Sequence, residues 1–177
     1  MRFSIRTLLL IVVFCTICFA IVASITRDSR ERWHYESDLR SMGAYYVGFI
    51  DVNNKPDWVS FVGPVKSPQI AKYQSFRHID FDGAHMTDDS VRNIASIKHF
   101  ETIHLTNCDI TDNQIGLLAK KGCVEMLRLN GSPVTDDAIP AIASIAGLKS
   151  VDLSGTLVTE EGIAMLLERC PGILVHR

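Results

Sequence analysis

Basic runs are missing from this sequence once its first apolar stretch is past. Of 18 lysines and arginines only Arg2 and Arg6 precede that stretch, and all 20 acidic residues follow it, leaving a small acidic excess. A protein that grips a phosphate backbone needs clustered cations, so nucleic acid is not an expected partner. Cysteine is scarce too: only Cys108, Cys123 and Cys170 lie beyond the apolar stretch. Three thiols cannot all pair, and their spacing matches no zinc signature, so they read as buried free thiols. A G-x-S-x-G elbow, a phosphate-binding glycine loop and an H-E-x-x-H helix are all lacking. No cofactor is implied, and the chain does not read as an enzyme.

What is present first is a long uncharged run. Residues 7 to 26, TLLLIVVFCTICFAIVASIT, hold neither charge nor proline. That is the length of a helix that crosses a bilayer, about 20 residues. A cleaved signal peptide has a shorter apolar core, about 7–15 residues, and a small-residue exit. Ala23 and Ser24 offer an exit, but bulky Ile21 and Val22 fit it poorly. Phe14 and Ile17 likewise make poor neighbours for lipid attachment at Cys15 or Cys18. The run therefore predicts an uncleaved transmembrane signal anchor behind a tail of residues 1 to 6. Arg27, Arg30 and Arg32 follow the span, so the positive-inside count does not favour an outward C-terminus. The short tail, typical of an export signal that stayed attached, places the C-terminal domain outside the cytoplasm.

The second feature is a period. Blocks start at Phe76, Phe100, Val124 and Leu148. Their spacing is constant at about 24 residues, and a fixed period of this size is the signature of a solenoid. A fifth start, at Ile173, comes one position late. Apolar residues recur at the same places in every block: Phe76, Ile79, Phe81 and Met86 in the first, Leu148, Val151, Leu153 and Val158 in the last. Alternation at the second and third of these predicts a short strand with one face inward. Ala84, Cys108, Ser132 and Thr156 then occupy one inward slot, where all but Ala84 can hydrogen-bond the loop. Thr87, Thr111, Thr135 and Thr159 stand where a helix N-cap belongs. Acids follow each of them, at the favourable end of a helix dipole. Gln114 completes a capping box with Thr111. Pro140 should shorten or kink the third helix, because it lacks an N–H.

The pattern L-x-x-L-x-L, with DLSGTLVTEEG in the fourth block, resembles a family of small bacterial membrane-anchored leucine-rich-repeat proteins. The resemblance covers residues 76 to 177 most strongly. RCPGI, at 169 to 173, resembles the cysteine-containing class of these repeats. MRFSIRTLLL and LRSMGAYYVGF are similar to the family's leader and pre-repeat segment. The resemblance implies an α/β fold, a short solenoid of strand and helix in each repeat of about 24 residues. It also implies a curved scaffold that binds protein, with no catalytic residues to carry over. No F-box precedes the repeats.

Between anchor and repeats, residues 27 to 42 predict a juxtamembrane helix that stops at Gly43. Residues 43 to 75 are expected to cap the first repeat, with a strand in AYYVGFIDV, a turn at NNKPD, and Trp58 and Phe61 in the core.

Strand positions between the inward apolar residues face the concave side of a solenoid. They form columns: His78, Thr102, Met126 and Ser150; Asp80, His104, Arg128 and Asp152; and Asp82, Thr106, Asn130 and Ser154. Neighbouring strands lie about 4.8 Å apart, so each column is a ladder of side chains, in which Asp80 can pair with His104 and Arg128 with Asp152. His78, Asp80, Asp82, His104, Thr106, Arg128, Asn130 and Asp152 are the expected partner-binding residues. Carboxylates and imidazoles converge here, but no metal-ligand spacing supports a metal. The expected function is a membrane-anchored scaffold that binds a protein partner of unknown identity through the concave face. The alternative is a structural envelope component that self-associates through the repeat domain. In the last block, Ile173 and Val175 alternate with Leu174 and His176 as an edge strand, from which two copies could extend the sheet.

Overall fold

Neither proline nor glycine occurs from residue 5 to residue 41, and one helix, α1 (Ile5–Ser41), runs through the whole segment. The computed structural model describes residues 5–49, 56–61, 63–65, 68–120 and 123–177. At about 1.5 Å per residue α1 is roughly 55 Å long. From Val12 on it is long and apolar enough to cross a membrane, and among the described residues the rest of the protein buries none of that apolar window. The expected juxtamembrane helix is thus the far end of the same rod. That end is fastened. Leu39 and Met42 are fully buried, Arg40 donates to the Tyr45 carbonyl at 2.9 Å, and Tyr73 Oη donates to Asp38 at 2.5 Å. Lys72 forms an ion pair with the same carboxylate. Gly43, at φ +108°, then turns the chain into the first strand.

Seven strands form one sheet in chain order. They are β1 (Ala44–Gly48), β2 (Trp58–Phe61), β3 (Ser75–Asp80), β4 (His99–His104), β5 (Cys123–Arg128), β6 (Ser150–Asp152) and β7 (Leu174–His176). β1 and β2 are antiparallel, with an irregularity between Ala44 and Tyr46. Every later pairing is parallel. The strand expected at 44 to 52 stops before Phe49, and its residues 50 to 52 and most of the turn expected at 53 to 57 lie outside the described residues. Phe61 is buried and stacks on Phe81, with centroids 5.2 Å apart. Trp58 departs from expectation. It is 37% exposed, because it shares the outward row of Ser60 rather than the inward row of Val59 and Phe61.

From β3 onward the sequence period becomes register. Ile79 pairs with Ile103, Ile103 with Leu127, Leu127 with Val151 and Val151 with Val175. The last step equals the others and is not lengthened, as the late start at Ile173 implies it should be. The chain enters β7 through a turn in which Gly172 has φ +92°. All four pairing residues from Ile79 to Val151 are fully buried. The ladder continues past the strand ends: Phe81, Leu105, Leu129 and Leu153 each donate a backbone N–H to the following strand's last residue, at 2.8–3.0 Å. Each chain then turns through a left-handed residue at positions 83, 107, 131 and 155, of which three are glycine and one is Asn107 at φ 53°. Asparagine is the side chain that best tolerates that conformation. A Cβ on Gly131 would collide with the Asn107 side chain.

Helices follow the turns. They are α2 (Asp88–Ala95), α3 (Asp112–Ala119), α4 (Ile139–Ala143) and α5 (Glu160–Arg169). Thr87, Thr111 and Thr159 accept from the backbone N–H three residues on, at 3.2–3.4 Å, and Thr111 with Gln114 closes a reciprocal capping box. Pro140 has its expected effect. The third helical segment opens as a 3-10 turn, Asp136–Ala138, and only five residues of α-helix follow. In the inward slot, Cys108 and Ser132 donate to the carbonyls of Phe81 and Leu105 at 2.7 Å. Thr156 instead donates to Leu153, within its own unit.

Candidate functional site

Two outward rows cross the sheet at right angles to the strands. The register lines up Ser60, Asp80, His104, Arg128, Asp152 and His176 in one row. It lines up Trp58, His78, Thr102, Met126, Ser150 and Leu174 in the other. Asp82, Thr106, Asn130 and Ser154 follow in the turns beyond the strand ends. The structure therefore brings all eight expected partner-binding residues onto neighbouring strands and turns of one sheet face.

The contacts within that face differ from the expected pairs. Among the described residues neither Asp80 with His104 nor Arg128 with Asp152 forms an ion pair. The carboxylates turn to nearer donors. Asp80 Oδ1 accepts the Asp82 N–H at 3.1 Å. Asp152 Oδ1 accepts the Ser154 N–H at 3.0 Å and its hydroxyl at 2.6 Å. A carboxylate two residues before a turn N–H needs no side-chain ordering in a partner to be satisfied. Thr106 donates to Asn130 Oδ1 at 2.9 Å, so that part of the ladder does link side chain to side chain.

Charge still couples the row. Burial, and then the Arg128 charge, hold the His104 imidazole below its ordinary range, against the pull of Asp80. Burial acts to raise the Asp152 carboxyl, but the two Ser154 hydrogen bonds and the His176 and Arg128 charges outweigh it and keep it below the usual range. His78 packs its ring 5.1 Å from Trp58 and 6.2 Å from His104, and its Nδ1 is buried without a partner among the described residues. Tyr46 extends this aromatic file at the far edge, 6.5 Å from Trp58. No group of three or more His, Cys, Asp or Glu side chains that could hold a metal ion occurs among the described residues.

Tyr46, Trp58, Ser60, Leu174 and His176 lie on the face but outside the columns that the repeats give. Tyr46 and Trp58 belong to strands outside the period. His176 follows Asp152 by one period, and carrying the same step through the last block would find it. No family model matches this chain, and no curated protein matches it either. The geometry of the chain itself is therefore the ground on which its function is read.

Proposed function

We propose that the chain is a membrane-anchored leucine-rich-repeat protein whose sheet face binds another protein. The observation that carries this is the unbroken periodic register from β3 to β7. Such a register repeats one arrangement per strand: apolar residues inward, and a row of Asp, His, Arg, Asp and His outward. Rows of this kind give a partner spaced charges and hydrogen-bond groups on a stiff support. The resemblance of DLSGTLVTEEG and its sister segments to leucine-rich repeats supports a solenoid with these rows on its concave side. In this reading residues 43 to 75 cap the first repeat. Helix α1 is the anchor, with the domain outside the cytoplasm, and its unbroken course into the buried Leu39 and Met42 holds the face at a set height from the bilayer. The role is binding rather than catalysis. The alternative, a structural envelope component that self-associates, has exposed Leu174 on β7 and exposed Leu167 on α5 in its favour. Affinity capture with the detergent-solubilised chain distinguishes them. Specific recovery of a second protein, weakened by Arg128→Glu and His104→Glu, is the expected result. Concentration-dependent oligomers with no other protein retained would favour the alternative.

A further inference from the structure

Between β5, β6 and β7 the outward face dips into a depression of about 200 Å3, lined by Met126, Arg128, Ser150, Asp152 and His176. The register makes it. Small Ser150 sits between the longer Met126 and Leu174 in its row, and Arg128, Asp152 and His176 stand beside it in the next. Ser150 is only 5% exposed, and its Oγ has no hydrogen-bond partner among the described residues. Buried hydroxyls seldom stay unpaired. The Arg128 guanidinium is also uncommitted. Neighbouring Lys149 is taken by Glu125 at 2.7 Å, whereas the guanidinium of Arg128, exposed on the face, has no ion pair or hydrogen bond among the described residues. Asp152 is already occupied at Oδ1 by Ser154.

We infer that this depression is a subsite for one carboxylate side chain, aspartate or glutamate, of the bound protein. The inference rests on the partner-face reading above. A guanidinium presents a planar fork that matches a carboxylate with two parallel hydrogen bonds. The Ser150 hydroxyl supplies a third donor from the floor. Small-molecule pockets run to about 300–1,000 Å3, so this one suits a single side chain rather than a cofactor. The Asp152 carboxylate in the same lining repels a phosphate dianion about twice as strongly as a carboxylate monoanion, so the depression favours the monoanion of the two.

The test is a titration of the full chain in detergent micelles, read by NMR at the Arg128 side-chain Nε–H and the Ser150 amide. The probe is acetyl-Gly-Glu-Gly-amide, compared with its glutamine and phosphoserine counterparts. The glutamate peptide should shift both signals and bind at least about tenfold more tightly than the glutamine peptide, and more tightly than the phosphoserine peptide. Arg128→Gln should abolish that preference, Ser150→Ala should reduce it, and Arg92→Gln on α2 should leave it unchanged. Equal binding of glutamate and glutamine peptides, tighter binding of phosphoserine, or a preference that survives Arg128→Gln would overturn the inference. His104→Glu in the capture experiment probes the face away from the depression. Capture weakened there, with no peptide preference, sinks the subsite alone. Capture unchanged there, with the preference intact, sinks the partner face alone.

Discussion

From Ser75 onward each strand meets its copy one period later, in parallel and in register, whereas β1 and β2 ahead of it run antiparallel and share no period. The two regions are held differently. The later units are joined by backbone ladders and by side chains that reach into the next unit. Asp112 accepts the Thr135 N–H at 2.9 Å and its hydroxyl at 2.7 Å, and Asp136 treats Thr159 the same way at 2.8 and 2.7 Å. Asp112 and Asp136 therefore do more than complement a helix dipole. They hold the cap residue of the following unit. At the earlier joint Gln114 takes this part, donating to the Met86 carbonyl and to Asp88 at 3.0 Å. β1 and β2 share the backbone ladder, but there it is supplemented by an aromatic stack, Phe61 against Phe81, rather than by a repeated acid-to-cap joint. The periodic region is thus fastened by repeated polar joints, and the aperiodic end by a stacked aromatic pair together with single polar contacts at Arg40 and Asp38.

Phe61→Ala should give the largest effect, about 3–5 kcal/mol by denaturant unfolding, because a buried ring and its stacking are lost together. Hydrogen exchange should quicken in β1 and β2 more than in β5. Leu129→Ala, in the fully buried row beyond β5, should cost about 2–5 kcal/mol. Here exchange should quicken in β4, β5 and β6 together, since the register links them.

Breaking one polar joint is milder. Asp112→Ala leaves the Thr135 N–H and hydroxyl without their acceptor and should cost about 1–2 kcal/mol. The equivalent joint should respond to acid. Hydrogen bonds from the Thr159 side chain and backbone hold the Asp136 carboxyl below its ordinary range. A carboxyl lowered on folding stabilises above its unfolded value, about pH 4, and that contribution is lost as pH falls through the lower folded value. Stability curves of the native chain and of Asp136→Ala, followed by thermal unfolding, should therefore converge as the pH falls below that range. Parallel curves throughout would show that the joint contributes nothing.

The periodic region is legible in the sequence because a fixed spacing leaves little freedom: once Ile79 is inward, Ile103, Leu127 and Val151 must be too. Threonine caps and the truncation at Pro140 are equally readable, since both act within a few residues. Other features are not legible, for physical reasons. The antiparallel β1 and β2 lack any repeat to align them, so placing Trp58 in the core rests only on the expectation that residues 43 to 75 cap the first repeat. The ladder pairs Asp80 with His104 and Arg128 with Asp152 follow from adjacency, but the carboxylates take backbone and serine donors two residues away. The joints from Asp112 to Thr135 and from Asp136 to Thr159 are readable from the period only when each acid is matched with the next block.

Two smaller effects sharpen the contrast. Cys108 occupies the slot held by Ser132 one unit later, and both donate to a carbonyl of the preceding unit. Cys108→Ser should shift stability by less than about 1 kcal/mol. Burial pushes the native thiol up to about 11, so alkylation in mildly alkaline buffer should be slow until the protein unfolds. Arg128→Glu, on the exposed face, should change stability least, by under about 0.5 kcal/mol.

The central claim is that the sheet face built by the periodic register is where a second protein binds. A photo-crosslinking amino acid placed at Thr106, on that face, and separately at Arg92, on α2, tests it in the intact chain expressed in cells. The account predicts an adduct with one heterologous protein from position 106 and none from position 92. Adducts from position 92 alone, or only adducts between two copies of this chain at position 106, would contradict it.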